Sequence, residues 1–235
     1  MSSPNIKIYN ETNEHFVKLR CLGCSIIIVE GLVGAGKTTA GTSLKKCLRE
    51  IGFKNVKFFK EYVNKDLLNQ YISDMKKYSY SFQIIMLIKR LEIYRNAIKY
   101  SKTGGIAIVD RSLLGDYTFA HMQYKNSNMN EKEWEVYTSI RNGEKKIMPS
   151  LIMYLNTSAQ TSYERMIKRG YKSEINGYTL EYFEELKKNY EYVIRNTDCN
   201  VINIDWNNNL EMDGSYLRQS ESLKLLYKFK EFITT

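Results

Sequence analysis

Five short runs of β-branched and other apolar residues recur along the chain, and longer amphipathic stretches separate them. The runs read SIIIV, VKFF, IAIV, LIMYL and VINI, at residues 25–29, 56–59, 106–109, 151–155 and 201–204. Such short, continuously apolar runs are typical of strands that are buried on both faces. Because helical patterns alternate with them, the sequence predicts an α/β fold, a five-stranded parallel sheet with helices on both faces.

The third predicted helix carries the clearest helical periodicity. Its stripe has the spacing i, i+3, i+4, i+7, and we expect it to face the core. A Gln and an Arg two turns apart lie on the adjoining face together with a Met, and polar groups at a core margin need partners. From spacing alone, a structural ion pair on the helix surface is the simpler interpretation. The stripe comprises Ile84, Leu87, Ile88, Leu91, Arg95 and Ile98, and the adjoining face Gln83, Met86 and Arg90.

Length and composition indicate an ordinary globular protein. The chain has 235 residues, 43% of them hydrophobic and 26% charged, with a net charge of +9. We expect one domain over residues 25–235 after an N-terminal extension over residues 1–24. The positive charge favours an anionic partner, which could be nucleic acid, a membrane surface or a phosphorylated small molecule. Neither a transmembrane run nor a leader pattern is evident, so we expect a cytoplasmic protein with no membrane partner.

The strongest motif follows the first predicted strand. Residues 31–38 read GLVGAGKT and fit the pattern G-x-x-x-x-G-K-[ST] between a strand and a helix. The glycines let backbone N–H groups turn toward phosphate oxygens, and the helix N-terminus adds a positive dipole. Lys37 is expected to reach the β- and γ-phosphates, and the Thr38 hydroxyl to bind Mg²⁺. The predicted nucleotide-binding residues are Gly31, Gly34, Gly36, Lys37, Thr38 and Thr39.

Charged residues follow two other predicted strands. Glu61 comes after VKFF, and Asp110 and Arg111 come directly after IAIV. The carboxyl ends of parallel strands meet at one edge of the sheet, so these residues should surround the γ-phosphate. Phosphoryl transfer requires a metal-holding carboxylate, a cation for developing charge, and a group that orients or deprotonates the attacking hydroxyl. The sequence therefore predicts a phosphotransferase.

With these motifs in place, the sequence resembles the deoxynucleoside kinase family, which includes deoxycytidine, deoxyguanosine and bacterial deoxyadenosine kinases. The resemblance implies a P-loop kinase fold with a short Arg-bearing lid, and a homodimer. It also implies a deoxynucleoside substrate, ATP as phosphate donor, Mg²⁺ and a role in nucleotide salvage. The matching segments are GLVGAGKTT, EYVN, SFQ, DRSLLGDYTFA, EWEVY, ERMIKRG, LEYFEEL and INIDWN, which begin at residues 31, 61, 81, 110, 133, 164, 180 and 202.

The resemblance also assigns roles to individual residues. It makes Glu61 the base for the 5′-hydroxyl, Arg111 the cation near the 5′-oxygen, and Asp110 a carboxylate of the metal site with Thr38. It places Arg165 and Arg169, which lie i, i+4 on one helix, on the lid that closes over the transferred phosphate. The expected catalytic residues are Glu61, Arg111, Lys37, Arg165 and Arg169.

For the nucleoside, the resemblance implies that Gln83 hydrogen-bonds the base edge and that Arg90 and Asp116 hold the base. Members that use deoxycytidine or purine deoxynucleosides have this pair, and thymidine-accepting members tend to lack it. Glu174 would bind the sugar 3′-hydroxyl, and Asp205 would belong to the loop that holds the adenine of ATP. The expected substrate-binding residues are Glu61, Tyr71, Phe82, Gln83, Met86, Arg90, Arg111, Asp116, Phe119 and Glu174.

Two other functions remain open from the sequence. A nucleoside monophosphate kinase of the thymidylate kinase type shares the P-loop and a D-R pair, but it needs additional cations for the acceptor phosphate. A P-loop switch or a nucleic-acid ATPase would agree with the charge of +9, although the N-K-x-D motif of GTPases is missing from the chain. We expect a deoxynucleoside as the partner and no nucleic acid.

Overall fold

We describe residues 25–50, 52–143, 149, 151–208, 212–213 and 216–217 of the chain from a computed structural model. The predicted extension over residues 1–24 and the chain beyond residue 217 lie outside the described residues. The division into an extension and one domain over residues 25–235 therefore stays a prediction.

Five parallel strands form one sheet, as the apolar runs predicted, and helices cover both of its faces. The order across the sheet is β2-β3-β1-β4-β5, and each neighbouring pair is parallel. Most strands include the polar residue that follows the apolar run, so charged or amide side chains stand at the carboxyl edge. The strands are β1 (Ile26–Glu30), β2 (Val56–Phe59), β3 (Ile106–Asp110), β4 (Leu151–Asn156) and β5 (Val201–Asp205).

Eight helices connect the strands within the described residues, and polar side chains cap several of them. Asn64, for example, accepts hydrogen bonds from the first turn of the second helix at 2.9 and 3.1 Å. A two-residue antiparallel pair, β6 (Met212–Asp213) with β7 (Tyr216–Leu217), was not predicted. The helices are α1 (Lys37–Glu50), α2 (Lys65–Ser73), α3 (Met75–Lys102), α4 (Leu113–Lys125), α5 (Glu131–Gly143), α6 (Ala159–Arg169), α7 (Lys172–Gly177) and α8 (Leu180–Arg195).

The buried face of α3 differs from the predicted stripe. Ile88 is 50% exposed and Arg95 is also exposed, so the prediction that both face the core was wrong. The buried face is turned toward the carboxyl edge of the sheet and includes polar side chains, which hydrophobic periodicity does not register. It comprises Ser79, Phe82, Gln83, Met86, Leu87, Arg90, Leu91, Tyr94, Ala97 and Ile98.

A buried carboxylate fixes the junction between β1, α4 and α8. Glu30 is fully buried and accepts hydrogen bonds from the Ser112 backbone N–H at 2.6 Å and the Ser112 hydroxyl at 2.7 Å. It also accepts from the Gly115 N–H at 3.2 Å and the Tyr190 hydroxyl at 3.1 Å. These four bonds satisfy a charge whose burial would otherwise be costly.

The same junction holds Arg111 in an unusual backbone conformation. Arg111 has φ of +69°, which costs a non-glycine residue about 1–3 kcal/mol and persists only where the surroundings enforce it. Its guanidinium donates to the Tyr190 hydroxyl and, at 3.3 Å, to the Gly31 carbonyl. The turn after β3 therefore depends on Glu30 and Tyr190, neither of which the sequence singled out.

None of the helices in the described part of the chain combines the length and the apolar character needed to cross a lipid bilayer.

The junction around Glu30 leaves no room for a side chain at Gly115. A Cβ there would lie 2.6 and 2.7 Å from the Glu30 carboxylate oxygens and 2.8 Å from the Tyr190 hydroxyl. We expect Gly115→Ala to destabilise the protein by about 1–3 kcal/mol despite the higher helix propensity of Ala. That corresponds to a fall of several degrees in Tm, which thermal unfolding followed by circular dichroism measures. Gly143→Ala is the matched control, because a Cβ added at this helix end would have no neighbouring heavy atom within 4 Å. Equal Tm values for the two variants would contradict this account.

Candidate active site

A cavity of about 490 Å³ opens at the carboxyl edge of the sheet. It lies among the loop after β1, the segment after β2, the buried face of α3 and the end of α6. Most of the predicted site residues line this one cavity, whereas a second cavity of about 360 Å³ between α3 and α8 contains none of them. Those lining the first are Gly34, Gly36, Lys37, Thr38, Thr39, Glu61, Tyr71, Phe82, Gln83, Met86, Arg90, Asp110, Arg111, Phe119, Arg165, Arg169 and Glu174.

Three predicted site residues lie outside the cavity wall. The Gly31 carbonyl accepts hydrogen bonds from Lys37 and Arg111, and Asp116 is fully buried behind Arg90. Asp205 is exposed, and its carboxylate accepts from the Asn207 backbone and side-chain N–H groups at 3.2 and 2.7 Å. The predicted contact of its loop with adenine stays a prediction.

The loop after β1 has the conformation that phosphate-binding glycine loops need. Gly34 and Gly36 have φ of +77° and +91°, and a Cβ on Gly34 would lie 2.3 Å from the Ser162 carbonyl of α6. The Lys37 ammonium donates to the Leu32 carbonyl at 2.7 Å, and burial together with nearby Arg111 lowers its pKa to about 8. The loop thus presents backbone N–H groups and one cation beside the cavity.

Thr38 and Asp110 form a pair of oxygen ligands at the base of the cavity. The Thr38 hydroxyl donates to Asp110 Oδ2 at 2.6 Å, and Asp110 is 4% exposed. Its Oδ1 has no hydrogen-bond partner among the described residues, and burial raises its pKa. A hydroxyl beside a buried carboxylate suits a hard divalent cation such as Mg²⁺. In the described ranges no group of three His, Cys, Asp or Glu side chains could hold a metal ion.

The Glu61 carboxylate lies between two arginines. Its Oε1 accepts from Arg90 at 2.6 Å and lies 3.1 Å from Arg111 Nε. Burial by itself would raise the pKa of Glu61, but Arg111, Arg90 and Lys37 outweigh it and lower the pKa to about 2. Glu61 is therefore ionised at neutral pH.

Arg90 continues this chain of charges away from the phosphate loop. One side of its guanidinium binds Glu61, and the other pairs with Asp116 Oδ1. The second oxygen of Asp116 accepts from the Tyr137 hydroxyl at 2.5 Å. The pair is thus buried and interior, not the surface ion pair that spacing alone suggested, and it separates the cavity from α5.

Aromatic and amide side chains form the remaining wall of the cavity. Tyr71 stacks on Phe82 with ring centroids 4.3 Å apart, and its hydroxyl lies 3.4 Å from that of Tyr182. Gln83 is 1% exposed, and its amide nitrogen has no hydrogen-bond partner in the described part of the chain. A buried donor beside flat apolar rings suits a planar heterocycle that accepts a hydrogen bond.

The predicted lid consists of the end of α6 and the short helix α7. Arg165 donates to the Asn208 carbonyl at 2.8 Å, and Arg169 forms an ion pair with Glu174. The residue assigned to the sugar 3′-hydroxyl is therefore bound to a lid arginine. Tyr171 is 47% exposed, and its ring lies against the Arg169 guanidinium.

Sequence reasoning did not identify three residues of this network: Glu30, Tyr137 and Tyr190. Glu30 follows the run SIIIV directly, so the strand-end rule that found Glu61 and Asp110 could have found it too. Tyr190 carried no local signal among the 19 tyrosines of the chain, and Tyr137 ends the family segment EWEVY, to which no role was assigned. Their importance follows only from the partners that folding brings to them.

The lowered pKa of Glu61 predicts a pH-dependent contribution to stability. The carboxyl titrates at 4.5 ordinarily and at about 2 in the folded protein, so its contribution is complete above pH 4.5 and is lost as the pH falls toward 2. We expect the free energy of unfolding of the wild type to exceed that of Glu61→Gln near neutral pH, and this difference to shrink as the pH is lowered. Urea titration at a series of pH values measures the difference. Glu92→Gln, which removes an exposed ion pair with Lys89, is the control. Its free energy of unfolding should differ little from that of the wild type at every pH. A constant gap for Glu61→Gln would refute the lowered pKa.

Comparisons with known proteins agree with this geometry. The chain is 27% identical over 203 residues to a deoxyadenosine kinase of Dictyostelium discoideum, covering 85% of this chain and 79% of that protein. It is 29% identical over 174 residues to a deoxyadenosine/deoxycytidine kinase of Bacillus subtilis, covering 71% of this chain and 75% of the relative.

A solved structure matches the fold over most of both chains. The structure of deoxyadenosine kinase from M. mycoides with bound dCTP superimposes with a TM-score of 0.69 at 28% identity, covering 88% of this chain and 98% of that one. The family profile described as deoxynucleoside kinase matches residues 27–233, which include all but the first residue of β1 and every other strand and helix around the cavity. The chain therefore belongs to the deoxynucleoside kinase family and is an enzyme that phosphorylates nucleosides.

Proposed function

We propose that this enzyme transfers the γ-phosphate of ATP to the 5′-hydroxyl of a deoxynucleoside with a purine or cytosine base, in nucleotide salvage. The observation that carries the proposal is the continuous chain of buried charges from Asp116 through Arg90 and Glu61 to Arg111. One end of this series of charges lies at the buried face of α3, and the other lies beside the phosphate loop. A nucleoside fits this arrangement, with its base near Arg90 and Asp116 and its 5′-carbon near Glu61 and Arg111.

The phosphate donor would occupy the loop after β1. Backbone N–H groups of the loop and the N-terminus of α1 would bind the phosphates, and Lys37 would leave the Leu32 carbonyl to contact the β/γ oxygens. Thr38 and Asp110 would hold Mg²⁺, in agreement with the unpartnered Asp110 Oδ1. When bound, the cation would neutralise charge on the phosphates. Arg165 and Arg169 of the lid would contribute further positive charge.

Glu61 would receive the 5′-hydroxyl. Among the described residues, its Oε1 takes both the hydrogen bond from Arg90 and the ion pair with Arg111, so Oε2 is available to accept from the substrate. A pKa near 2 makes Glu61 a permanent acceptor but a weak base. Phosphoryl transfer has a loose transition state that depends on positioning more than on basicity. We infer that Glu61 mainly orients the hydroxyl and takes its proton late, while Arg111 stabilises the charge on the oxygens.

Gln83, Arg90 and Asp116 would select the base. The free Gln83 amide N–H suits a ring nitrogen or carbonyl acceptor, and an ionised carboxylate accepts hydrogen bonds but cannot donate them. Cytosine and adenine present amino donors, whereas thymine presents a carbonyl and a methyl group. Relatives named deoxyadenosine kinase and deoxycytidine kinase support this choice. Those named deoxyguanosine kinase support a purine more broadly, since guanine has a keto oxygen in place of the adenine amino group.

Membership in the family favours a nucleoside over a nucleoside monophosphate as the acceptor. Apart from the cations already assigned to the donor, the base and the 5′-oxygen, Lys60 is the one basic side chain of the described residues that lines the cavity, so the cavity offers no additional cluster of cations for an acceptor phosphate. The homodimer, the cytoplasmic location and the absence of a nucleic-acid partner stay predictions.

An acceptor panel tests the proposed function directly. We expect ATP- and Mg²⁺-dependent formation of 5′-monophosphates from deoxyadenosine, deoxyguanosine or deoxycytidine, with thymidine at least about tenfold lower in kcat/KM because a buried polar pair would be left unsatisfied. Initial rates are measured by coupled ADP release, and thymidine monophosphate is included as an acceptor. A preference for the monophosphate, or for thymidine, would refute the proposal.

A single substitution tests the role of Glu61. Glu61→Gln keeps the shape of the side chain but removes its charge and proton acceptance, so we expect kcat to fall by about 10²- to 10⁴-fold. ATP affinity, measured by calorimetry, should change little because the loop after β1 is untouched. Glu92→Gln, on the exposed side of α3, should retain wild-type turnover. Near wild-type kcat for Glu61→Gln would end this assignment.

A further inference from the structure

The two oxygens of Asp116 have different partners from different helices. Oδ1 pairs with Arg90 of α3, and Oδ2 accepts from the Tyr137 hydroxyl of α5 at 2.5 Å. Both Asp116 and Tyr137 are fully buried and neither lines the cavity, whereas Arg90 does. The Tyr137 hydroxyl can therefore influence a bound nucleoside only by way of the Asp116–Arg90 pair.

The position of the Tyr137 hydroxyl is closely constrained. The ring belongs to a small apolar cluster with Leu87, Leu91, Ala120 and Met129, and it stacks on Trp134 with centroids 5.5 Å apart. Because Tyr has only two side-chain torsions, packing of the ring fixes the oxygen as well. Burial and the neighbouring Asp116 carboxylate raise the pKa of Tyr137 well above its ordinary value, so the hydroxyl stays a donor.

We propose that Tyr137 is a positioning residue for base choice, which holds Asp116 as an ionised acceptor facing Arg90 and thereby favours bases with an exocyclic amino group. This inference rests on the proposed function, in which the base binds at the Arg90–Asp116 pair and Asp116 Oδ1, which Arg90 covers in this structure, accepts a hydrogen bond from it. It gives a residue outside the cavity a part in the specificity of the site. It also names the chemical difference that the site distinguishes, which is the amino group of adenine or cytosine in contrast to a keto oxygen at the same ring position.

The reason lies in what Asp116 would do without the hydroxyl. A buried Oδ2 with no donor is unfavourable, and Asp116 can relieve it by rotating away from Arg90 or by binding a proton. Burial already raises the pKa of Asp116, while Arg90, the Tyr137 hydroxyl and the nearby Arg141 act in the opposite direction. A protonated Asp116 would donate to a keto oxygen, so the preference for amino-bearing bases would weaken.

The test compares nucleosides that differ at this one position. We expect Tyr137→Phe to lower the ratio of kcat/KM for deoxyadenosine over deoxyinosine, or for deoxycytidine over deoxyuridine, by about five- to tenfold. The change should arise in KM, with kcat within about twofold of wild type, because the Glu61 and phosphate contacts are unchanged. An unchanged ratio, or an equal loss for both members of a pair, would overturn the proposal.

Tyr124→Phe is the matched control. Tyr124 also stacks on Trp134, with centroids 4.8 Å apart, and its hydroxyl also donates to a carboxylate, that of Glu131, at 2.5 Å. Its loss perturbs the same aromatic cluster without touching Asp116. The amino-to-keto ratio of this variant should equal that of wild type, and a fall matching that of Tyr137→Phe would show that ring packing, not the hydrogen bond, is responsible.

A double-mutant cycle distinguishes positioning from a separate structural effect. In an Asp116→Ala background, Tyr137→Phe should cause no further change in the ratio, because the residue through which it acts is gone. An additive effect would overturn the proposal, and so would a Tyr137→Phe protein that fails to fold, since the hydroxyl would then serve the fold itself. Wild-type enzyme inactive toward every deoxynucleoside would instead refute the proposed function, so the two failures are distinguishable.

Discussion

The structure depends on one carboxylate shared by two arginines. Glu61 joins Arg90 of α3 to Arg111 at the end of β3, and each of these three charges is largely removed from water. Burying any one of these charges alone would cost several kcal/mol, whereas their mutual attraction and the hydrogen bond from Arg90 to Glu61 offset much of that cost. The arrangement is therefore intolerant of partial change, because removing one member leaves uncompensated charge in the interior. Such a network fixes the relative positions of the three side chains more than it adds to the stability of the fold.

Neighbouring elements are organised around this network. Glu30 and Tyr190 hold the turn that presents Arg111, and Tyr137 holds Asp116, which in turn pairs with Arg90. The supports on the two sides come from α8 and α5, helices that contribute little to the cavity wall. A nucleoside kinase must align a base and a hydroxyl at a fixed separation. Rigid supports behind the residues in contact with the substrate provide that alignment.

Much of this site could be predicted because its residues follow strands. Parallel strands bring their carboxyl ends to one edge, so the loop of residues 31–38, Glu61 and Asp110 could be assigned to one place from the sequence. Resemblance to the family added Gln83, Arg90 and Asp116. The spacing of Gln83 and Arg90 alone suggested a helix surface with a structural ion pair. The wrong placement of Ile88 in the core has the same origin as the missed tyrosines. Periodicity counts apolar residues and does not register polar side chains that find partners in the interior.

The sequence by itself determined the strand and helix order, the phosphate-binding loop and the edge of the sheet at which the charged residues meet. These depend on local pattern and on the geometry common to all parallel sheets. Only the tertiary structure decided that Glu61 joins Arg90 to Arg111, that Arg111 adopts a left-handed conformation, and that Tyr137 donates to Asp116. Hydrogen bonds between residues 21 and 160 positions apart depend on how helices pack, and side-chain packing leaves no periodic trace in the chain.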